Sequence, residues 1–395
     1  MICLFENKAQ CSGCTACKNI CANNAIVMKA DEEGFYYPII EEASCTECGA
    51  CVRVCPYSNK EFTEAAPYDQ EVYAGKHKED NVRKDSASGG AFTAISDYIL
   101  GQGGLVYGAV FNEKFEVIHD KAKDKEERNR IRGSKYVQSD LDDIFLDIEL
   151  NLKNGKLVLF TGTPCQNDGL KHYLVKEYDN LILCDIACHG VPSPKVWESY
   201  KNYLENKYQD TIRKVTFRSK DKGWHNSTMK VEFTKQLHQK SMQDDPYYIM
   251  FFSHLDMRPS CHECIYASYH RVTDLTIADF WGIENSVKEY GDDLGVSLLL
   301  ENTVKGKEIL DHIIPELQMI KSNRKDCYQP IFAAPSKCSP RRTLFWETYN
   351  TKLFVEVIQK FGKLTILQIF QKKFAVPLLK KVRLYKFVEK IYYKR

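Results

Sequence analysis

The sequence predicts a mixed α+β/α/β protein in three parts: a small cysteine-rich domain, a larger α/β core with a mixed sheet, and a basic helical tail. Three observations lead to this prediction. Nine of the 16 cysteines lie in residues 1–60. Strand-like and helix-like segments alternate between residues 72 and about 345. Residues 352–395 carry twelve Lys and Arg against two Glu, although the net charge of the 395-residue chain is only +2.

The composition excludes several classes of protein. At 44% hydrophobic and 12% aromatic residues, the chain can bury sizeable cores, which excludes disorder as its dominant state. We find no signal peptide and no apolar run close to the ~20 residues of a membrane span. We therefore expect a cytoplasmic protein. In that reducing compartment, closely spaced thiols usually bind metal or carry out redox chemistry.

Residues 1–57 contain one cysteine spacing twice. The run Cys-x-x-Cys-x-x-Cys-x-x-x-Cys begins at Cys11 and again at Cys45. It is the spacing of bacterial ferredoxins, in which the fourth cysteine of each run binds the other 4Fe–4S cluster. We predict two clusters in a ferredoxin-like domain, with the ligand sets Cys11, Cys14, Cys17 and Cys55, and Cys45, Cys48, Cys51 and Cys21.

Two structural zinc sites are the alternative for these residues. Zinc sites typically use two separated cysteine pairs, and two complete runs of three plus one do not match that arrangement. The sequence departs from the ferredoxin pattern at Ala22, where a proline commonly follows the crossing cysteine. Cys3 lies outside the pattern and is expected to be a simple thiol.

Residues 58–71 are polar and are predicted to be a linker, and residues 72–345 form the core. Its apolar periodicity predicts a helix from Ala91 to about residue 100, which Ser86 or Ser88 can cap. A short apolar run, a helix and a second apolar run indicate a βαβ unit and a partly parallel sheet. The remaining predicted elements are a hairpin at 105–111 and 115–120, a helix at 141–152, the βαβ segments 156–161, 166–176 and 181–186, and strands at 211–218, 229–234, 274–280 and 296–301.

Two cysteines follow the two strands of the predicted βαβ unit. Cys165 comes after the first strand and Cys188 after the second, so both belong to the carboxyl edge of the sheet, where open α/β folds place their sites. Cys261-x-x-Cys264 adds a chelating pair. Four thiolates are enough for a third 4Fe–4S cluster. The pair alone would also suit a zinc half-site or a redox dithiol, and Cys165 alone a nucleophile.

The remaining cysteines and two histidines have weaker signals. Buried free cysteine is common, and we interpret three cysteines without a partner motif as structural: Cys184, Cys327 and Cys338. His189 and His262 each follow a proposed ligand and are expected to form hydrogen bonds in their loops.

A glycine-containing turn precedes the helix that begins near Ala91. Ser88, Gly89 and Gly90 would let the backbone approach a phosphate at a helix N-terminus, although a plain capped helix has the same pattern. Basic residues stand at the ends of two other segments, where they are candidates for contacts with a cofactor: Lys135 beside Tyr136, and Arg218 with Lys220.

Eight segments occur in a fixed order between about residues 85 and 282: SASGGAFTA, VYGAVF, RGSKYVQS, TGTPCQ, CHGVPSP, FRSKDKGWH, CHECIY and DLTIADFWG. Together they resemble the beta subunit of coenzyme F420 hydrogenase/dehydrogenase, a family that also occurs fused to a two-cluster ferredoxin domain. Beyond residue 282, a weaker resemblance continues to about residue 345. The resemblance implies a flavin-binding core that contains FAD and a 4Fe–4S cluster near the flavin, with Cys165, Cys188, Cys261 and Cys264 as the matching positions. It also implies a nucleotide role for the Ser88–Gly90 turn, and His225 is a weak candidate for contact with flavin or substrate.

The resemblance implies an iron–sulfur flavoprotein oxidoreductase that passes electrons between clusters and FAD. Its acceptor does not follow from the fold: a deazaflavin and a sugar-linked intermediate of surface polysaccharide synthesis are both open. The expected partners are this small molecule and an electron donor or acceptor such as ferredoxin or a redox subunit. The alternative is a non-catalytic electron-transfer subunit of a larger complex. No catalytic acid or base is assigned.

The tail, residues 346–395, is helical in period and basic. Leu364, Leu367 and Phe370 share one apolar face, which is typical of a helix that lies on a membrane surface. One hypothesis is that the tail brings the protein into peripheral contact with the inner membrane surface. The alternative is that the tail forms a solvated helical hairpin packed on the core. We do not expect a nucleic-acid partner, because no nucleic-acid-binding motif is present.

Overall fold

The computed structural model describes residues 2–58 and 68–364. The strands are β1 (Ile26–Ala30), β2 (Tyr36–Ile40), β3 (Glu71–His77), β4 (Leu105–Phe111), β5 (Val117–Ala122), β6 (Val158–Gly162), β7 (Leu181–Ile186), β8 (Ile212–Ser219), β9 (Thr228–Phe233), β10 (Leu237–Ser241), β11 (Leu275–Asp279), β12 (Ser297–Glu301) and β13 (Leu317–Ser322). The α-helices are α1 (Ala16–Asn19), α2 (Ala50–Arg53), α3 (Asp80–Asp85), α4 (Ala91–Gly101), α5 (Lys125–Ile131), α6 (Ile144–Lys153), α7 (Pro164–Leu174), α8 (Pro194–Tyr208), α9 (Pro246–Phe252), α10 (Val304–Ile313), α11 (Arg342–Thr351) and α12 (Phe354–Phe361).

The N-terminal domain repeats its backbone conformation along with its cysteine spacing. Thr15 and Gly49 each follow the second cysteine of a run, and both have left-handed φ angles, of 62° and 72°, before the single-turn helices α1 and α2. The residues before those cysteines, Gly13 and Glu47, are also left-handed. Two equivalent loops therefore curve around two centres, and the antiparallel hairpin β1–β2 links them.

The core is built on an eight-stranded mixed sheet with the order β13-β3-β12-β11-β7-β6-β4-β5. Its centre is parallel, because β4 pairs with β6, β6 with β7, and β7 with β11 in the parallel sense. The segment β6–α7–β7 is the predicted βαβ unit. The carboxyl ends of β6, β7 and β11 consequently lie at one edge of the sheet.

The antiparallel flank of this sheet contains a strand that the sequence analysis did not predict. β3 begins at Glu71, inside the segment expected to be a linker, and lies between β12 and β13. Just before it, the Tyr68 hydroxyl donates a hydrogen bond of 2.6 Å to Glu301, and Gln70 donates to Asn302. The described end of that segment is therefore fixed to the core.

A second, three-stranded sheet of order β10-β9-β8 covers one side of the core. Helices α8, α9, α11 and α12 pack with it around an aromatic cluster that includes Trp197, Tyr200, Phe217, Tyr247 and Phe345. The two helices at the start of the predicted tail therefore contribute to this core. The rest of the tail, from residue 365, lies outside the described residues, and so do Leu367 and Phe370. In the described ranges, no helix is both long enough and apolar enough to span a bilayer.

The N-terminal domain is docked tightly against the core. Ala16 and Val54 belong to the same apolar cluster as Phe145 and Leu170. Polar contacts surround this cluster: Lys18 forms a salt bridge of 2.8 Å with Asp143, Arg342 pairs with Glu33, and Asn19 donates to the main chain of Asp142. The interface therefore combines apolar burial with one largely buried ion pair, Arg342–Glu33, and more exposed polar contacts, which hold the two parts in one orientation.

Candidate functional site

One cavity in the N-terminal domain is lined by Cys11, Cys14, Cys17 and Cys55. Cys55 comes from the second run and joins three cysteines of the first, so the structure brings one predicted ligand set together. Burial raises the pKa of the Cys11 and Cys14 thiols. We call these four cysteines the inner set.

Cys21, Cys45, Cys48 and Cys51 form the outer set, which lies nearer the surface. Cys48 is exposed, whereas Cys51 is buried and packs with Cys21 in a small apolar cluster. The amide of Ala25 donates to Cys21 Sγ at 3.3 Å, and a hydrogen bond from the backbone of Ala50 is the main cause that lowers the pKa of Cys48. Of the two N-terminal sets, the outer one thus contains the exposed cysteine.

The third set consists of Cys165, Cys188, Cys261 and Cys264, which line a second cavity. Cys165 lies in the first turn of α7 directly after β6, and Cys188 lies directly after β7. The other two come from a 3-10 turn at Pro259–Glu263 and the residue that ends it. Burial raises the pKa of Cys261 to about 12 and of Cys264 to about 11.

The donor chemistry of these cavities fits 4Fe–4S clusters. Four thiols per cavity are the ligand complement of such a cluster, and thiolates suit iron–sulfur chemistry. Iron binding would keep the buried thiols deprotonated despite their raised pKa values. In the part of the chain that the structure describes, no three His, Cys, Asp or Glu side chains converge as they would around a single metal ion.

The two cavities are neighbours. Ser12 and Tyr57 line both of them, and Cys14 packs against Gly169 in α7, the helix that begins beside Cys165. A Cβ atom at residue 169 would lie 2.6 Å from Cys14 Cβ and 2.8 Å from Cys14 Sγ. The inner and third sets are therefore separated by a single layer of side chains, and glycine at this position is what permits that approach.

Gly169→Ala is expected to weaken the inner set and the docking of the N-terminal domain. Alanine has the better helix propensity by ~1 kcal/mol, but the overlap with Cys14 costs ~1–3 kcal/mol, so the net effect is destabilising. We expect faster loss of iron to a chelator and a lower Tm. Gly101→Ala is the matched control, because a Cβ there meets nothing within 4 Å; equal rates for the two variants would contradict the role of this contact.

Arg218 and Asp279 form a buried ion pair at the same sheet edge. Asp279 ends β11, the neighbour of β7, and also accepts a hydrogen bond of 2.8 Å from Trp224 Nε1. The Nε and Nη2 atoms of Arg218 have no hydrogen-bond partner among the described residues. Trp281, 38% exposed, stacks on Trp224 with 4.4 Å between the ring centroids. This edge offers a cation with free donors and an aromatic face.

The structure brings Lys220 and Ser88 together. Lys220 Nζ donates to three main-chain oxygens, those of Arg83, Ser88 and Leu294, at 2.6 to 2.8 Å. Since an ammonium has three donors, these bonds use all of them. Burial lowers the pKa of Lys220 to about 7. Lys220 therefore anchors the Ser88 turn.

The glycines of that turn have a packing role. A Cβ at Gly89 would lie 2.4 Å from the Gly75 carbonyl oxygen and 2.4 Å from the Ser297 amide nitrogen, and Gly90 has a φ of +96°. The Ala91 amide already donates to the Ser297 hydroxyl at 3.4 Å. Close contact with β3 and β12 accounts for Gly89, the left-handed backbone accounts for Gly90, and the nucleotide role of both stays a prediction.

Tyr136 and Lys135 differ in their surroundings. Tyr136 packs in the aromatic cluster, 5.7 Å from the Phe217 ring, next to Arg218; burial raises the pKa of its hydroxyl and Arg218 opposes that shift. Lys135 Nζ instead donates to the carbonyl oxygens of Arg130 and Ile131 at the end of α5. The structure therefore places Tyr136, but not the Lys135 ammonium, beside the Arg218–Asp279 pair.

Comparison with known proteins gives two family matches. Residues 155–325 match the family model for the C terminus of the coenzyme F420 hydrogenase/dehydrogenase beta subunit, and residues 10–59 match that of the 4Fe–4S dicluster domain. Residues 155–325 belong to the family of coenzyme F420 hydrogenase/dehydrogenase beta subunits. The chain is an iron–sulfur protein, and this family is one of oxidoreductases.

The individual proteins that resemble the chain have low sequence identity to it. The chain is 24% identical over 280 residues to one of the subunits of the F(420)H(2) dehydrogenase of Methanosarcina mazei, in an alignment that covers 64% of this chain and 71% of that protein. Among solved structures, a chain of the F420-reducing [NiFe] hydrogenase complex of Methanosarcina barkeri aligns with a TM-score of 0.44 and 16% identity, over 73% of this chain and 90% of the other.

His189, His225 and His262, the three histidines considered as candidates, have different surroundings. His262 Nδ1 lies 2.9 Å from the Ser336 carbonyl oxygen, and the Ser336 hydroxyl donates to the carbonyl oxygen of His189. His189 itself lines the third set's cavity and lies within electrostatic range of Asp279. His225 pairs with Asp293 at 2.9 Å at the surface.

Four cysteines lie outside the inner, outer and third sets: Cys3, Cys184, Cys327 and Cys338. Cys184 and Cys327 are each 1% exposed and belong to apolar clusters, as expected of structural residues. Cys338 is exposed.

Sequence reasoning missed the residues that join the inner and third sets. Arg258 lines the third cavity and donates through Nε to the Cys11 carbonyl oxygen at 2.8 Å. Gln138 donates to the Ser12 carbonyl oxygen at 3.0 Å. Their only signal in the sequence was proximity to a segment of the family pattern: Arg258 stands three residues before Cys261, and Gln138 lies within RGSKYVQS.

Proposed function

We propose that the chain is an iron–sulfur flavoprotein oxidoreductase that transfers electrons between three 4Fe–4S clusters and FAD and thereby reduces or oxidises a small-molecule acceptor. The observation that carries the proposal is the shared sheet edge. Cys165, Cys188 and Asp279 stand at or directly after the carboxyl ends of three neighbouring parallel strands, β6, β7 and β11. Open α/β sheets place their ligands at this edge.

The bound groups would supply the electron chemistry: clusters transfer single electrons, and FAD accepts two and exchanges a hydride equivalent. The protein supplies the ligands, the enclosure and the order of the centres. The outer set contains the exposed Cys48, the inner set lines a cavity in the N-terminal domain, and the third set lines the neighbouring cavity that shares Ser12 and Tyr57. This order supports electron entry or exit at the outer set.

Arg218 is the residue of this chain best suited to hold FAD. It is buried, its charge is fixed by Asp279, and its Nε and Nη2 are free to donate to phosphate or flavin oxygens, for which the planar guanidinium is well matched. Trp281 offers a ring face at the same edge. The Ser88 turn, which Lys220 holds in place, is the second proposed contact.

A deazaflavin is the first acceptor to test, because coenzyme F420 appears in the description of the family and in the name of the relative from Methanosarcina mazei. That relative is itself a subunit. Assembly of this chain with a redox partner at the outer set is therefore part of the proposal.

The proposal predicts one FAD per chain, bound through Arg218. We would purify the full chain without oxygen, reconstitute its clusters, and measure flavin content and FAD affinity. Arg218→Gln is expected to weaken FAD binding at least tenfold, since it removes a charge-assisted contact worth ~1.5–3 kcal/mol. Arg213→Gln is the matched control, because Arg213 lies on the same strand, is exposed, and bonds only to Thr234 among the described residues.

A chain that carries its full iron and sulfide but binds no FAD would overturn the flavoprotein assignment. That result would favour the alternative, a non-catalytic electron-transfer subunit. Equal FAD affinity of the Arg218→Gln and Arg213→Gln variants would instead leave FAD in place and remove Arg218 from the site.

A further inference from the structure

Arg258 is a buried cation without a carboxylate partner. The described part of the chain contains five buried arginines, and four of them pair with a carboxylate: Arg83 with Asp292, Arg128 with Asp97, Arg218 with Asp279, and Arg271 with Asp185. Arg258, with 0% exposure the most buried of the five, has no such partner among the described residues. Burying an unpaired charge is costly, so a counter-charge is expected nearby.

The contacts of Arg258 place its guanidinium between the inner and third sets. Nε donates to the Cys11 carbonyl oxygen, and Nη2 lies 3.7 Å from Cys11 Sγ, within hydrogen-bonding distance for sulfur. The same side chain lines the cavity of the third set. Its positive charge acts on the thiols of Cys11, Cys165 and Cys261.

The surroundings of Arg258 hold it in one orientation. Nη1 donates to Gln138 Oε1 at 3.0 Å, Nη2 donates to the Tyr36 carbonyl oxygen at 3.0 Å, and the guanidinium carbon lies 4.2 Å from the centroid of the Tyr37 ring. A Cβ at Gly13 would lie 2.9 Å from Nη1, so the first cysteine loop is shaped to admit this side chain. The charge is therefore fixed in position relative to both cavities.

We propose that the Arg258 guanidinium is the shared counter-charge of the two clusters held by the inner and third sets, and that it raises the reduction potentials of both relative to the cluster of the outer set. A four-thiolate cluster is anionic and becomes more so on reduction. A fixed cation and an N–H donor to a ligand sulfur favour the reduced form. Arg258 is thus a positioning residue that directs electrons inward from the outer set.

This inference rests on the proposed function, because it requires clusters in both cavities. The test is an anaerobic redox titration of the full chain followed by electron paramagnetic resonance, with iron counted in the same samples. In Arg258→Met, the equilibrium constant for reducing the inner and third clusters relative to the outer one is expected to fall at least tenfold, which is about 59 mV for one electron. The outer cluster is expected to keep its potential. Arg258→Lys, which keeps the charge, is expected to show a smaller shift.

Gln138→Glu provides a second variant that leaves Arg258 in place. It sets a carboxylate against the guanidinium at the position of Gln138 Oε1, so the net charge falls and both potentials are expected to shift in the same direction as in Arg258→Met. Arg342→Met is the matched control: it removes another cation of the domain interface, the partner of Glu33, and is expected to leave the three potentials unchanged.

The possible outcomes separate this inference from the proposed function. A wild-type chain with about eight irons would refute the third cluster and with it the shared role of Arg258. A full iron complement with unshifted potentials in Arg258→Met and Gln138→Glu would overturn the inference alone. If Arg258→Met loses clusters that Arg258→Lys retains, the positive charge is needed for cluster assembly, and that result supports the inference. Equal shifts of the reduction potentials in Arg342→Met would assign the effect to docking of the N-terminal domain on the core and would overturn the inference.

Discussion

Cys165→Ala is expected to lower the iron content from about twelve to about eight atoms per chain, to retain the clusters of the inner and outer sets, and to abolish reduction of FAD by electrons that enter through them. Cys165 is one of four thiols around the second cavity, and a cluster with three protein ligands is labile. Its removal interrupts the proposed path between the N-terminal domain and the proposed flavin edge.

Cys184→Ala is the control for this variant. Cys184 stands on β7, four residues before Cys188, but it is buried in an apolar cluster and does not line the cavity. We expect its iron content and its rate of flavin reduction to match those of the wild type. Iron and sulfide analysis with stopped-flow absorbance measures both quantities. About twelve irons in Cys165→Ala, or about eight in the unaltered chain, would refute the third ligand set.

Cys55→Ala is expected to remove the cluster of the inner set, although in sequence Cys55 belongs to the run that begins at Cys45. The structure places Cys55 in the cavity of Cys11, Cys14 and Cys17. About four irons should be lost. Cys3→Ala is the control, because Cys3 is exposed and lies outside both runs.

A double variant distinguishes this crossing from two independent runs. If Cys14 and Cys55 hold one cluster, Cys14→Ala combined with Cys55→Ala loses the same four irons as either change alone, since residues that act as a unit are not additive. If each run held its own cluster, the double variant would lose about eight. Iron analysis of the three variants, prepared side by side, decides between them.

Local patterns in the sequence predicted much of the parallel sheet, and they grouped the cysteines that the structure brings to the two cavities. Fixed spacing encodes the N-terminal ligands, and two apolar runs around one helix place Cys165 and Cys188 at the same edge. The predicted hairpin, the helix from Ala91 and the strand at 181–186 all correspond to observed elements.

The features that were missed depend on partners far away in sequence. β3 pairs with strands at residues 297–301 and 317–322. The polar segment that precedes β3 contains no local pattern that predicts this pairing. Nothing in the sequence distinguishes Arg258 from other arginines, because its role depends on contact with the folded Cys11 loop. The turn at Ser88–Gly90 was interpreted through phosphate binding, whereas Gly89 is also required for contact with the main chain of β3 and β12.

The position of β3 has a consequence for biosynthesis. The N-terminal domain contains both cysteine runs within its first 55 residues, so the ribosome releases a complete set of eight ligands early, and domains tend to fold in that order during synthesis. β3 ends at His77 and must wait until β12 and β13, at residues 297–301 and 317–322, exist to pair with it. The third cavity is completed later still, since its walls include Ile331 as well as Ser12, Cys188 and Cys264. Cluster loading is therefore expected to be sequential, with the third centre closed last by the finished core.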